Sequence, residues 1–246
     1  MAKKHKVDYY SFGGFILFGI IFVFIWQTYY GYYILYPFTI LGTWFHEMGH
    51  GIMAIAMGGN FLYLEIFPNG SGLAHYNYSE FYILPKYAKA LISAGGLFGP
   101  PVVGSILILM SKSTRKSNFI LYFLSVFMLI SVVIWVRTMV GGVVVSSLGV
   151  LFLLIAIKAK NNIKQFVVQF IGLMACIDTY KQIGYLYMGK ANVNGTENFS
   201  DTGQIANQLG LTYSFWGTFI LILSFLLLLT SLYYRNRTVI KKVKLY

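Results

Sequence analysis

Long apolar stretches constrain the fold of this sequence more than any other feature. A helix that crosses the hydrocarbon core of a bilayer needs about 20 mostly apolar residues. Only 11% of the residues are charged, against about a quarter in ordinary soluble domains. The sequence therefore predicts an all-α polytopic membrane protein with six or seven transmembrane helices, and the candidate spans lie at 12–36, 38–57, 90–110, 118–136, 139–157, 164–187 and 214–234.

The basic residues are placed in short clusters between these stretches. The formal net charge is +12, but clusters of this kind are typical of loops beside anionic lipid headgroups rather than of nucleic-acid binding. We therefore expect a multi-pass protein of the cell (plasma) membrane that contacts the lipid bilayer and binds no nucleic acid. The sequence does not indicate an oligomeric state.

The positive charges give conflicting indications of orientation. With seven spans, the loops at 111–117 and 158–164 share a side with the C-terminus, and the positive-inside rule makes that side cytoplasmic. The basic cluster at 3–6 then faces outward. A re-entrant segment, which leaves six spans, would remove the conflict, and both counts stay open.

Two segments interrupt the apolar pattern. Between 58 and 85, a turn-forming run from Pro68 to Gly72 separates two aromatic, β-prone runs, which predicts a small membrane-associated β-hairpin. The polar stretch 188–213 predicts a loop with a short helix at about 202–209. We interpret 1–246 as one membrane-embedded domain with an additional N-terminal span at 1–36, a core at 37–235 and a basic tail at 236–246.

The motif HEMGH lies inside the second apolar stretch. His46 and His50 are four residues apart, so on a helix they project from one face and can share a metal ion. Catalytic zinc sites use three protein ligands and leave a position for water, and Glu47 is placed to take a proton from that water. Because ionisable groups within a span are costly and usually functional, we predict one Zn²⁺ here. The alternative is a polar cluster that only packs against other helices.

Several further segments resemble one known family in the same order along the chain. They are HEMGHGIMAIAMGG at 46–59, the turn at 70–72, AGGLFGP at 94–100, the run at 171–174 and the pair Ser200 and Asp201. Over roughly residues 40–235 the sequence resembles the site-2-protease-like intramembrane zinc metallopeptidases. The resemblance implies hydrolysis of peptide bonds of membrane-protein or peptide substrates in or near the bilayer. It also implies a zinc ion bound by His46, His50 and a distant aspartate, with Glu47 activating the zinc-bound water.

The third ligand of that zinc ion is left open by the sequence. Asp201 matches the Ser-Asp signature of the family, although its spacing to Gln204 is also that of a helix capping box. Asp178 is the alternative, but it is spaced to pair with Lys181, and relatives carry an acidic residue where Gln182 stands. A two-histidine site completed by another group is the third possibility.

Other residues receive secondary interpretations. Gly95, Gly96 and Gly99 predict close packing of a helix against the motif helix, and the resemblance implies that this region lines the substrate cavity. A hairpin edge strand beside the metal would present a substrate in extended form. Two other functions stay open: a catalytically weak relative that binds membrane partners, indicated by Gln182, and a small metal or ion transporter, although no inverted repeat is visible.

Overall fold

The computed structural model describes residues 5–7, 9–77, 82–193 and 195–239 and is mostly helical, at 75%. In chain order the helices of these residues are α1 (Tyr9–Trp26), α2 (Tyr29–Ile34), α3 (Tyr36–Ala56), α4 (Pro85–Met110), α5 (Thr114–Ile134), α6 (Met139–Lys158), α7 (Asn161–Lys181), α8 (Ile183–Leu186), α9 (Asp201–Leu209) and α10 (Tyr213–Asn236). Among the described residues, α4, α5, α6 and α10 are long and apolar enough to cross a membrane. The count of six or seven spans stays a prediction.

Two of the predicted spans are each divided into two helices. The stretch 12–36 forms α1 and α2 because the extended backbone of Thr28 ends the first helix, and its hydroxyl oxygen accepts a hydrogen bond from the Gly31 N–H at 3.1 Å. Such a side-chain cap satisfies a backbone donor that would otherwise be left without a partner. The stretch 164–187 is divided at Gln182 into α7 and α8.

The described strands form three two-stranded antiparallel sheets. They are β1 (His5–Val7) with β6 (Arg237–Val239), β2 (Asn60–Ile66) with β3 (Gly72–Asn77), and β4 (Lys190–Val193) with β5 (Thr196–Phe199). The β2–β3 hairpin is the predicted one, and its turn uses Gly70 at φ +83°. The β4–β5 hairpin was not predicted. Most of the basic tail predicted at 236–246 lies outside the described residues.

Helix α3 carries the HEMGH motif through the interior of the bundle. Its Trp44 is fully buried, and the indole Nε1–H donates to Ser131 Oγ at 2.9 Å. Helix α4 lies so close to α3 that a Cβ atom on Gly49 would be 2.3 Å from the carbonyl oxygen of Gly95. The predicted close packing of the two helices is confirmed, and it encloses the motif.

Candidate metal centre

The motif histidines lie on one face of α3 with their rings directed at each other. His46 and His50 are both buried, and their Nε2 atoms are 3.0 Å apart. The Nδ1–H of His50 donates to the carbonyl oxygen of Ile92 on α4 at 2.8 Å, which directs its Nε2 towards His46 and Asp201. This arrangement orients a metal-binding imidazole in many metalloproteins.

Asp201 at the beginning of α9 completes the cluster. Its Oδ2 lies 3.0 Å from His46 Nε2 and its Oδ1 lies 3.4 Å from His50 Nε2. The N-cap of α9 is Ser200, whose Oγ accepts from the Gly203 N–H at 3.0 Å. The capping-box interpretation of Asp201 was therefore wrong, because the preceding serine fills that position and leaves the carboxylate directed at the histidines.

Tyr185 holds the Asp201 carboxylate in place. The tyrosine hydroxyl donates to Asp201 Oδ2 at 3.1 Å and accepts from the Asp201 backbone N–H at 3.1 Å. Burial alone would raise the pKa of the Asp201 carboxyl, but the neighbouring imidazoles and their hydrogen bonds lower that pKa below its usual value. The imidazoles thus favour the ionised carboxylate, which is the form that metal binding requires.

The donor set and its spacing fit a zinc ion. Tetrahedral ligands at 2.0 to 2.1 Å from zinc are about 3.3 Å apart, and the three contacts here measure 3.0, 3.0 and 3.4 Å. Within the described part of the chain, these three residues are the one group of His, Cys, Asp and Glu side chains close enough to hold a metal. Two imidazoles and a carboxylate are donors that zinc commonly uses in proteins.

Asp178 lies in a different environment, at the contact of α7 with α3. Its carboxylate is 3.1 Å from Lys181 Nζ and accepts from Gln182 Nε2 at 2.6 Å. A Cβ atom on Gly42 of α3 would be 2.5 Å from Asp178 Oδ1. The structure thus brings Asp201 to the histidines and places Asp178 in a buried ion pair with Lys181, as the spacing of those two residues indicated.

Glu47 lies in a cleft of about 300 Å³ over the cluster. Strand β3 passes directly beside the carboxylate, since a Cβ atom on Gly72 would be 2.6 Å from Glu47 Oε1. Only glycine, which has no Cβ, permits this approach without a shift. The cleft is lined on β3 by Gly72, Leu73, Ala74 and Tyr76, and further by residues later in the chain, namely Tyr185, Ala191, Val193, Asn198, Phe199 and Gln204.

Gly95, Gly96 and Gly99 of α4 shape this site through helix packing. A Cβ atom on Gly96 would lie 2.2 Å from the ring of His50, and one on Gly99 would lie 3.1 Å from the carbonyl oxygen of Phe45. Gly95 is in the same α3–α4 contact, while Ser93 is the residue of α4 that lines the cleft. These glycines allow α4 to pack closely against the motif helix, and their predicted contact with substrate stays a prediction.

Two parts of the site were missed by sequence reasoning. Tyr185 lies 16 residues before Asp201 and has no local pattern that marks it as a partner. The β4–β5 hairpin did carry a signal, because an Asn-Gly dipeptide at 194–195 is typical of a two-residue hairpin turn.

A histidine pair one helical turn apart, a glutamate between them and a carboxylate from a distant helix define a metallopeptidase-like centre. Its surroundings include four helices long and apolar enough to cross a membrane. The model of the Peptidase M50B-like family matches residues 15–231, so the chain belongs to this family, which is the site-2-protease family. The match begins within α1 and so includes most of the first predicted span. No curated protein and no solved structure matches the chain.

Proposed function

We propose that the protein is an intramembrane zinc metalloprotease that hydrolyses peptide bonds of membrane proteins within or near the bilayer of the cell membrane. The observation that carries the proposal is the convergence of His46, His50 and Asp201, with contacts of 3.0 to 3.4 Å, beside Glu47 in one cleft. Family membership supports protease activity on a membrane-protein substrate.

One zinc ion would be held by the Nε2 atoms of His46 and His50 and by the carboxylate of Asp201. When bound, zinc polarises a carbonyl group and makes water a stronger acid. Asp178 is excluded from this role in our proposal because its oxygens face Lys181 and Gln182.

Glu47 would act as the general base and then as the general acid. Its carboxylate takes a proton from the water that attacks the substrate carbonyl, and passes it to the amine that leaves when the peptide bond breaks. The residue is buried at 4% exposure but lines the cleft, so the proton moves between groups that are shielded from bulk water.

Strand β3 would bind the substrate next to Glu47. A transmembrane helix hides its carbonyl groups in its own hydrogen bonds, so a substrate has to become extended before it can be cut. An extended segment can add to the edge of a strand through main-chain hydrogen bonds. Deletion of residues 61–76 should therefore abolish cleavage, and undiminished proteolysis by the deletion variant would exclude this role.

A Glu47→Gln variant tests the proposal. We expect it to retain stoichiometric zinc by elemental analysis of the purified protein and to lose cleavage of membrane proteins. The membrane proteomes of cells that express wild-type protein or the variant are compared by mass spectrometry of truncated fragments. Fragments produced at the wild-type rate by Glu47→Gln would show the mechanism to be wrong.

The same variant separates the protease from the two other candidate functions. A metal transporter would continue to move zinc into vesicles without Glu47-dependent fragments, and a partner-binding relative would yield no fragments even as wild type. The lack of an acidic residue at position 182 was the argument for a catalytically weak relative. In our proposal this argument is weaker, because Gln182 contacts Asp178 and the carboxylate beside the histidines comes from Asp201.

A further inference from the structure

The β4–β5 hairpin forms one wall of the cleft above Glu47. Four of its residues line the cleft, namely Ala191, Val193, Asn198 and Phe199. The hairpin immediately precedes Ser200 and Asp201, so its position is fixed relative to the candidate metal centre. Ser200 Oγ also donates to the carbonyl oxygen of Met188, just before β4, which ties the base of the hairpin to α9.

The strand register gives the hairpin two different faces. Ala191 pairs with Asn198, so their side chains share a face, and Val193 joins them two residues further along β4. Asn192 pairs with Glu197 on the other face, where Lys190 Nζ lies 3.1 Å from Glu197 Oε2 in an exposed ion pair. The face with Ala191, Val193 and Asn198 is therefore small and uncharged, and the opposite face carries the charged pair together with Phe199, which also lines the cleft from the end of β5.

The other wall of the cleft is β3. Gly72, Leu73, Ala74 and Tyr76 line it, and β2 is the one strand paired with β3 among the residues that the structure describes. The cleft is thus a slot lined by β3, by the β4–β5 hairpin, by Glu47 and by the two histidines. An extended peptide fits such a slot, because its alternate side chains point to opposite walls.

We propose that the face formed by Ala191, Val193 and Asn198 is a substrate-binding wall that contacts the side chains of the extended segment next to the scissile bond. This inference rests on the proposed protease function. The small side chains of Ala191 and Val193 leave room for apolar side chains of the substrate. The Asn198 amide offers both a donor and an acceptor to the peptide groups of that segment.

Engineered cysteines test the two faces against each other. The native Cys176 is buried and stays in place. Single cysteines replace Ala191, Val193 and Asn198 on the cleft face, and Asn192 and Glu197 serve as matched controls on the other face of the same hairpin. The probe is a short peptide hydroxamate, which binds zinc through its hydroxamate group and carries a thiol-reactive bromoacetyl group at the end of the peptide.

We expect the cleft-face cysteines to be alkylated at least about tenfold faster than the controls, because zinc binding raises the local concentration of the reactive group. Each rate is normalised to the rate with bromoacetamide alone, and excess unreactive hydroxamate should remove the difference. Equal rates on the two faces, in protein that contains zinc and binds the hydroxamate, would overturn the substrate wall and leave the proposed function standing. Absence of zinc and of hydroxamate binding would overturn both.

A steric pair of variants provides a second measurement. Ala191→Trp should raise KM for cleavage at least about tenfold by filling the slot, whereas Asn192→Trp should leave KM within about twofold of wild type because residue 192 faces away from the cleft. Zinc content should stay at the wild-type level in both variants. Equal effects of the two tryptophans would contradict the assignment of faces.

Discussion

At the scale of single residues, the two aspartates that the sequence left as alternatives differ in their surroundings. Asp201 Oδ2 is 3.0 Å from His46 Nε2, and Asp178 is 3.1 Å from Lys181 Nζ. Sequence spacing predicted the histidine pair because both residues lie on one helix. It did not decide the aspartate, because the His46–Asp201 contact joins residues 155 positions apart and local patterns carry no information on such contacts.

Substitution of each aspartate should separate their roles. Asp201→Ala should lose zinc because it removes one of three donors. Asp178→Asn should keep zinc but lower the free energy of unfolding by roughly 2 to 4 kcal/mol, since it leaves Lys181 without its counter-charge. We expect a destabilisation in the lower part of this range, because the Lys181 side chain is 16% exposed. Elemental analysis and thermal unfolding in detergent measure both effects, and zinc loss from the Asp178 variant alone would reverse the assignment.

Tyr185→Phe should weaken zinc binding while leaving the fold intact. The variant removes the hydroxyl that bonds both to the carboxylate and to the backbone N–H of Asp201. Loss of such an orienting partner typically costs about 10- to 100-fold in metal affinity. Competition with a chelator measures the affinity. Tyr187→Phe is the matched control, because the Tyr187 hydroxyl contacts Thr218 instead, and equal effects in the two variants would contradict a positioning role for Tyr185.

At the scale of secondary structure, the turn of the β2–β3 hairpin is held by side chains of α3. The Thr43 hydroxyl donates to the carbonyl oxygen of Gly70 at 2.6 Å, and the Tyr36 hydroxyl donates to that of Pro68 at 2.9 Å. Thr43 lies one helical turn before Glu47 on α3. The hairpin and the motif helix are therefore connected at both the turn and Gly72.

Thr43→Val should release this turn and reduce cleavage while zinc stays bound. The substitution keeps the shape of the side chain but removes the hydroxyl donor, which costs about 1 kcal/mol for a typical hydrogen bond. We expect a lower kcat/KM for a membrane substrate and an unchanged zinc content. Thr230→Val is the control variant, because it removes an exposed hydroxyl group on α10. An unchanged kcat/KM in the Thr43 variant would show that the turn is held by other contacts.

The helices and one hairpin could be predicted from the sequence because their signals are local. The stretch predicted at 139–157 corresponds to α6 at Met139–Lys158, and the turn-forming run at 68–72 corresponds to the turn between β2 and β3. Strands β4 and β5 escaped prediction because KANV and TENF are short, polar and mostly exposed. KANV alternates polar and apolar residues over only four positions and TENF does not alternate, so the main signal for a strand is too short to indicate one there.

At the scale of the whole molecule, the basic segments meet at one end. Strand β1 pairs with β6, which joins residues 5–7 to 237–239. The Lys112 side chain donates to the carbonyl oxygen of Tyr234 at 3.4 Å, and Gln165 Nε2 donates to that of Lys112 at 3.3 Å. The loops at 111–117 and 158–164 therefore share an end with residues from both termini. Between residues 7 and 237, a chain with both of these segments on one side crosses the membrane an even number of times, and the count of six or seven spans stays a prediction.

Cysteine accessibility should show that residues near both ends face the cytoplasm. We expect Lys6→Cys and Lys160→Cys to react with a membrane-impermeant maleimide only after cells are permeabilised, in accordance with the positive-inside rule. Met139→Cys, at the opposite end of the bundle and 86% exposed, should react in intact cells. Labelling of residue 6 in intact cells while residue 160 stays protected would instead support an odd number of spans.

The distance along the chain between His46 and Asp201 also determines when the centre forms. Domains are made from the N-terminus at roughly 5 to 20 residues per second, so the two histidines and Glu47 emerge well before the carboxylate that lies 155 residues later. A nascent or truncated chain that ends before α9 has the proposed base and two of the three proposed donors only. The order of synthesis thus keeps the proposed centre incomplete until most of the bundle has been inserted.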